Sequence, residues 1–250
     1  NIKYVQDKIF FKNILNKIKI NKIDKITLVW GDHKNLKSLD LKPDDIILMN
    51  EFTLAPVPGA VDKVGCKLEY VKNTKNLIID LEDLEFKIIN KKPKVLLLSY
   101  MRGFYPDIEK VCNICKRYNV KIIEDAAHTL GVKFKDKFLG CWGDIGCYSL
   151  QSYKQINAGE GGIIVTNNDQ LSAKQILLSG SYMFYQEHTL KPDKITFDNI
   201  KLFTPNYSSR YNEIAASNAL SQVQLLDERN NKWRHDYFYI KNLLSDNKLI

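Results

Sequence analysis

The chain has 250 residues, 44% of them hydrophobic and 26% charged, and a formal charge of +8, which is enough chain to bury the core of one large domain. It has no apolar run near the roughly 20 residues of a membrane span and no signal-peptide core at its start, so a cytoplasmic, non-membrane protein is expected. Lysines are dispersed through the N-terminal third and along helix faces without aromatic interleaving, which argues against nucleic acid and leaves attraction to anionic substrates as the milder consequence of the charge.

Residues 1–43 read as an atypical N-terminal helical segment. From about residue 44, short apolar runs alternate with helical patterns, the rhythm of βαβ units and a mainly parallel sheet flanked by helices, hence an α/β fold. Ile46–Met49 reads as a strand, Val57–Val64 as a short helix closed by Gly65, Cys66–Val71 as a strand and Leu81–Ile89 as a helix. Val95–Ser99 is a buried strand, and Asp107 or its neighbour caps a helix through Tyr118. The strand Val120–Glu124 then delivers Asp125 to the carboxyl edge of the sheet, where ligands of open α/β sheets bind. Gly146–Leu150 and Gly162–Thr166 are two further strands, and Asn168 or Asp169 caps the helix Leu171–Leu178. Residues 196–209 read as irregular. From Tyr211 a long amphipathic pattern runs through Ile214, Leu220, Val223, Leu226, Trp233, Tyr237 and Ile240. The expected division is an α/β domain at 44–226 and a bridging helix at 227–250, leading to a C-terminal small domain missing from this sequence, which also begins without methionine.

The five cysteines have no framework spacing. Cys112 and Cys115 form a CxxC, but it lies on a helical stretch and no second pair completes a metal site, so no metal is expected.

Lys154 carries the chemistry. It sits in the run Ser149-Leu150-Gln151-Ser152-Tyr153-Lys154-Gln155-Ile156-Asn157-Ala158-Gly159-Glu160-Gly161-Gly162, downstream of Asp125-Ala126-Ala127-His128. An amine followed by a glycine turn, with a carboxylate at the end of a buried strand, is the set that pyridoxal phosphate (PLP) chemistry requires. The lysine forms a Schiff base, and the carboxylate keeps the ring nitrogen protonated.

Glu124-Asp125-Ala126-Ala127-His128, Gly143 to Ser149 and Lys154 to Gly162 together resemble the fold-type I sugar aminotransferases of the DegT/StrS class. Phe52-Thr53, Gly65-Cys66-Lys67, Ile79 to Leu84 and Tyr207 to Arg210 follow in the order that family shows. The resemblance implies that Lys154 holds PLP and shuttles protons, and that Asp125 pairs with the pyridine nitrogen. It places His128 near the ring hydroxyl and the small Ala127 beneath the ring, and it gives Ser149, with Gln151 on the same side, to the phosphate. Asn206 or Ser208, with Arg210, would reach a neighbouring cofactor across a homodimer interface. The implied substrates are an amino donor, glutamate, and a carbonyl sugar taken in turn. Tyr182 and Tyr185 are candidates for lining the sugar pocket.

Two segments depart from that pattern. The family's phosphate-binding Gly-Thr loop has its nearest counterpart in Trp30-Gly31-Asp32, where an aspartate would repel phosphate, so neither Gly31 nor Asp32 is assigned. The position where relatives place a stacking aromatic is Leu54, leaving the face of the ring to Leu54 or Phe52. Three other readings stand beside the aminotransferase. One is a PLP-dependent sugar dehydratase or isomerase, although dehydratase relatives carry histidine where Lys154 stands. Another is an inactive PLP-fold binding subunit. The last, a Rossmann domain, fits poorly because no G-x-G-x-x-G follows a strand.

Overall fold

Short runs of branched and aliphatic residues such as Val95–Ser99 and Gly162–Thr166, buried at every position, form strands at the centre of the molecule. The computed structural model describes residues 25–29 and 38–246, apart from 182, 184 and 189. The strands are β1 (Lys25–Val29), β2 (Ile46–Asn50), β3 (Lys67–Val71), β4 (Val95–Ser99), β5 (Lys121–Asp125), β6 (Lys133–Phe134), β7 (Lys137–Phe138), β8 (Ile145–Ser149) and β9 (Gly162–Thr166). The helices are α1 (Val57–Asp62), α2 (Leu81–Lys91), α3 (Ile108–Arg117), α4 (Asp169–Leu178), α5 (Lys194–Asp198), α6 (Glu213–Gln222) and α7 (Leu226–Asp246).

Seven strands form one sheet in the order β1-β9-β8-β5-β4-β2-β3, with β6 and β7 as a separate hairpin. The block β8-β5-β4-β2-β3 is parallel, and β9 runs antiparallel to both its neighbours. β1 lies within the segment expected to be helical. Its pairing with β9, more than 130 residues away, is a tertiary contact that overrides local propensity.

Alternation along each strand divides the core between the two faces. Leu48, Leu96, Leu98, Ile122 and Tyr148 pack with Leu84 and Ile88 of α2, Val111 and Ile114 of α3, and Ala215 and Ala219 of α6. Ile47, Met49, Val95, Leu97, Ile123 and Ile145 pack on the other side with Ala60 and Val61 of α1. Side-chain oxygens start the helices: Asp80 caps α2, Asp107 caps α3, Asn168 caps α4 and Asn212 caps α6. The expected single helix from Tyr211 is two, α6 and α7, joined by a 3-10 turn at Val223–Leu225.

The chain leaves β2 first for β3 on one side and later for β4 on the other. Asn50 ties this switch point together. Its buried amide accepts from the Ser99 backbone N–H at 2.8 Å and donates to the carbonyls of Ser99 at 3.1 Å and Phe52 at 3.0 Å. Crevices outside the carboxyl ends of strands at such points are where open α/β sheets bind ligands.

Candidate active site at the carboxyl edge of the sheet

Parallel register sets Ser99, Asp125 and Cys147 in one row across β4, β5 and β8. Residues two apart share a face of a strand, so Ser149 lies on the Cys147 side. The Ser99 hydroxyl donates to Asp125 Oδ2 at 3.0 Å, and the Ala127 N–H donates to Asp125 Oδ1 at 3.2 Å. These two donors fix the carboxylate at the edge of the sheet.

After Asp125 the chain turns and presents His128. The Lys154 ammonium lies 2.8 Å from His128 Nε2. An ammonium has only donors, so Nε2 accepts and the imidazole proton sits on Nδ1. Burial lowers the His128 pKa from 6.5 to about 4, and the Lys154 and Arg102 cations push it the same way, so the ring is neutral at physiological pH.

The lysine loop is held on both sides. Within it, the Lys154 N–H donates to the Gln151 carbonyl at 3.0 Å, the Tyr153 N–H to Gln151 Oε1 at 3.1 Å, and the Gln151 N–H to Ser149 Oγ at 3.3 Å. From outside, Gln155 Nε2 donates to the His128 carbonyl at 2.8 Å, and Arg229 of α7 donates to the Gln155 carbonyl at 3.0 Å. Gln222 of α6 accepts from the Asn157 N–H at 3.0 Å. The Tyr211 ring packs against Gly161, where a Cβ would stand 2.2 Å from Tyr211 Cε2. The glycines after Lys154 therefore make room for an aromatic ring as well as a turn.

Glu124, next to Asp125, points to the opposite face and is fully buried. Its carboxyl accepts from the Tyr100 hydroxyl at 2.7 Å and from the N–H groups of Gly140, Trp142 and Gly143 at 2.6 Å each. Burial pushes its pKa above the ordinary carboxylate value, and the four donors offset only part of that rise. This cage locks the loop after the β6–β7 hairpin beneath the strand that carries Asp125. Its spacing in the sequence resembles any strand–loop return, so only the packed structure identifies it.

The structure thus brings Lys154, His128, Asp125, Ser149 and Gln151 to one edge of the sheet. Asn206, Ser208 and Arg210 lie on a different loop, against Gly180. The Arg210 guanidinium donates to the Gly180 carbonyl at 2.8 Å, and Asn206 Oδ1 accepts from the Ser208 N–H at 2.7 Å. Leu54 is exposed, while Phe52 meets Phe104 edge-on at 6.3 Å between centroids. Tyr185 stacks on Phe197. Gly31, Asp32 and Tyr182 lie outside the described residues. Burial raises the pKa of the Cys112 and Cys115 thiols to about 12, so both behave as packed hydrophobes. A separate cleft of about 400 Å³ is lined by Asp40, Lys63, Lys174, Phe203 and Tyr207, among others, and by none of the Lys154 set.

A family model, the DegT/DnrJ/EryC1/StrS aminotransferase family, matches residues 31–250. The chain is 27% identical over 197 residues to the UDP-4-amino-4,6-dideoxy-N-acetyl-beta-L-altrosamine transaminase of Campylobacter jejuni, and the match covers 78% of this chain and 50% of that protein. It is 29% identical over 197 residues to the GDP-perosamine synthase of Caulobacter vibrioides, with the same two coverages. The chain spans about half the length of the curated relatives it matches. Among solved structures it resembles the E. coli GDP-4-keto-6-deoxy-D-mannose-3-dehydratase with bound hydrated PLP, with a TM-score of 0.78 at 19% identity over 95% of this chain and 65% of that one. It also resembles Helicobacter pylori PseC, an aminotransferase involved in the biosynthesis of pseudoaminic acid, with a TM-score of 0.72 at 21% identity over 89% and 58%. Identities this low establish a shared fold.

Proposed function

Because this chain belongs to the DegT/DnrJ/EryC1/StrS aminotransferase family, we propose that it is the large α/β part of a PLP-dependent enzyme that moves an amino group from glutamate to a keto or aldehyde sugar. The observation that carries the reading is the Lys154 amine 2.8 Å from a neutral His128, on a loop beside the anchored Asp125.

The residues present suit PLP. The set supplies one amine, one carboxylate at the end of a strand, and the hydroxyl and amide of Ser149 and Gln151. Among the described residues, Gln155 Oε1 and Thr53 Oγ1 are buried with no hydrogen-bond partner, which leaves acceptor capacity for a polar ligand. When bound, PLP supplies the electron sink that stabilises negative charge at the carbon bearing the amino group. Lys154 would hold it through its side-chain amine and, once free again, would take and return the proton at the substrate carbon that bears the amino group. Asp125, fixed by Ser99 and Ala127, would pair with a cationic ring nitrogen. His128 accepts from the amine without adding positive charge. The Ser149 hydroxyl and the Gln151 side-chain NH₂ would donate to phosphate oxygens, and Asn206 with Arg210 would serve a second copy in a homodimer.

The dehydratase reading draws on the fold match to the E. coli enzyme, yet Lys154 stands where the resemblance gives dehydratases a histidine. Titration of the full-length protein with PLP tests the main reading. Saturable uptake with a visible band that Lys154→Ala loses is expected, as is formation of 2-oxoglutarate from glutamate. A wild-type protein that takes up no PLP, or a band that survives in the variant, overturns it; uptake without 2-oxoglutarate favours the dehydratase.

A further inference from the structure

Arg102 has a backbone that ordinary residues avoid. It lies in the turn Met101–Gly103 directly after β4, at φ 56° and ψ 17°, the left-handed region that disfavours a side chain with a Cβ. Such conformations persist where the surroundings enforce them, and they cluster at ligand-binding positions. Here the surroundings are explicit. Phe104 meets Phe52 on one side, and on the other Tyr105 meets Phe134 with centroids 6.3 Å apart, Phe134 in turn meeting Trp142 at 5.8 Å. The Tyr100 N–H donates to the Asp125 carbonyl at 3.0 Å, and a Cβ at Gly103 would stand 3.9 Å from the His128 carbonyl oxygen. The turn is therefore pinned against the strand that bears Asp125 and the backbone that bears His128.

The guanidinium carried by this turn is exposed, and no hydrogen bond or ion pair engages it among the described residues. Arg117, Arg210 and Arg229 each donate to a protein acceptor, whereas Arg234, exposed on α7 and away from this edge, has none among the described residues. Arg102 is also close enough to His128 to help lower its pKa. A planar fork with no acceptor, on a rigid turn beside a reactive amine, suits a bidentate carboxylate.

We propose that Arg102 anchors a carboxylate of the substrate that reacts at Lys154. The proposal rests on the reading of the site above for its chemistry, while the placement of Arg102 is independent of the cofactor. The carboxylate belongs either to the amino donor or to an acidic sugar acceptor, and two probes separate these sources: glutarate, a dicarboxylate without an amine, and D-glucuronate, compared with its uncharged counterpart glucose.

The experiment uses full-length protein, loaded with PLP, as wild type, Arg102→Gln and Arg102→Lys. PLP uptake should be unchanged in both variants. If the donor is anchored, Arg102→Gln raises the glutamate concentration for half-saturation by roughly tenfold or more, with little change in limiting rate, weakens glutarate binding by calorimetry in parallel, and is partly rescued by Arg102→Lys. If the acceptor is anchored, the glutamate step is unaltered and D-glucuronate binding weakens instead, with glucose indifferent. Glutarate and D-glucuronate binding both unchanged in Arg102→Gln overturns the proposal. A wild-type protein that takes up no PLP refutes the cofactor reading alone, because binding of the two probes still reports on Arg102.

Discussion

Replacing Glu124 by glutamine keeps its shape and removes its charge, and the four donors around it set the consequence. The amide oxygen can satisfy one pair of donors, but the NH₂ group must face the other pair. The less harmful placement puts it toward Tyr100 and Gly140, because the tyrosine hydroxyl can rotate and accept, whereas the Gly140 N–H cannot. One charge-assisted bond is then lost, at about 1.5–3 kcal/mol, and one buried N–H is left unsatisfied, at about 1–3 kcal/mol. Relief from burying a charge offsets part of that sum. The expected net loss is about 3 kcal/mol, or about 6–12 °C in Tm for a chain of this size. Urea unfolding of the full-length protein at pH 7 measures it, with Tyr100→Phe as the reference that removes one donor and costs about 1 kcal/mol. The outcome depends on ionisation, since a carboxyl already protonated in the folded state would lose little on becoming an amide. A Glu124→Gln protein no less stable than Tyr100→Phe would therefore refute the argument that an ionised carboxylate holds this loop.

His128 gives a pH dependence of known sign. Its folded pKa lies near 4, below the ordinary 6.5, so the unfolded chain binds more protons between those values and stability falls as pH drops from about 6.5 toward 4. Thermal melting of the PLP-free protein at a series of pH values should show a shallower fall in His128→Gln than in wild type; identical slopes would mean the imidazole is not held neutral. Gly146→Ala should abolish folding or cost well over 4 kcal/mol, because its Cβ would sit 1.6 Å from the Gly140 carbonyl oxygen, backbone against backbone. Gly159→Ala should cost only about 1–2 kcal/mol, since φ is +81° but no atom of the described residues beyond its chain neighbours lies within 4 Å of an added Cβ. Comparable losses in the two variants, read by expression yield and melting, would contradict this packing.

Whether the sequence alone revealed a feature depended on how far along the chain its cause lies. Ser149, Gln151, Lys154 and the glycines after them fall within fourteen residues, because one loop must hold an amine and turn back into a strand, so residue types and spacing carry the information together. The buried parallel strand β4 was legible for a similar reason: covered on both faces, it is apolar along its length, as Val95-Leu96-Leu97-Leu98 is. β1 was not, since nothing in Lys25–Val29 names a partner more than 130 residues away. Glu124 shows the same limit at shorter range. In the sequence it is one letter of a strand motif, while its function in the fold is set by three N–H groups of a loop whose path depends on the β6–β7 hairpin. Arg102 shows it most sharply. Its side chain gives no pattern, and only the sheet brings the turn after β4 beside the turn after β5. Both turns leave the carboxyl edge of neighbouring parallel strands, so any charged residue placed there meets the same crevice. The fold thus fixes where a charge on either turn can act, and the sequence then needs only to choose its sign.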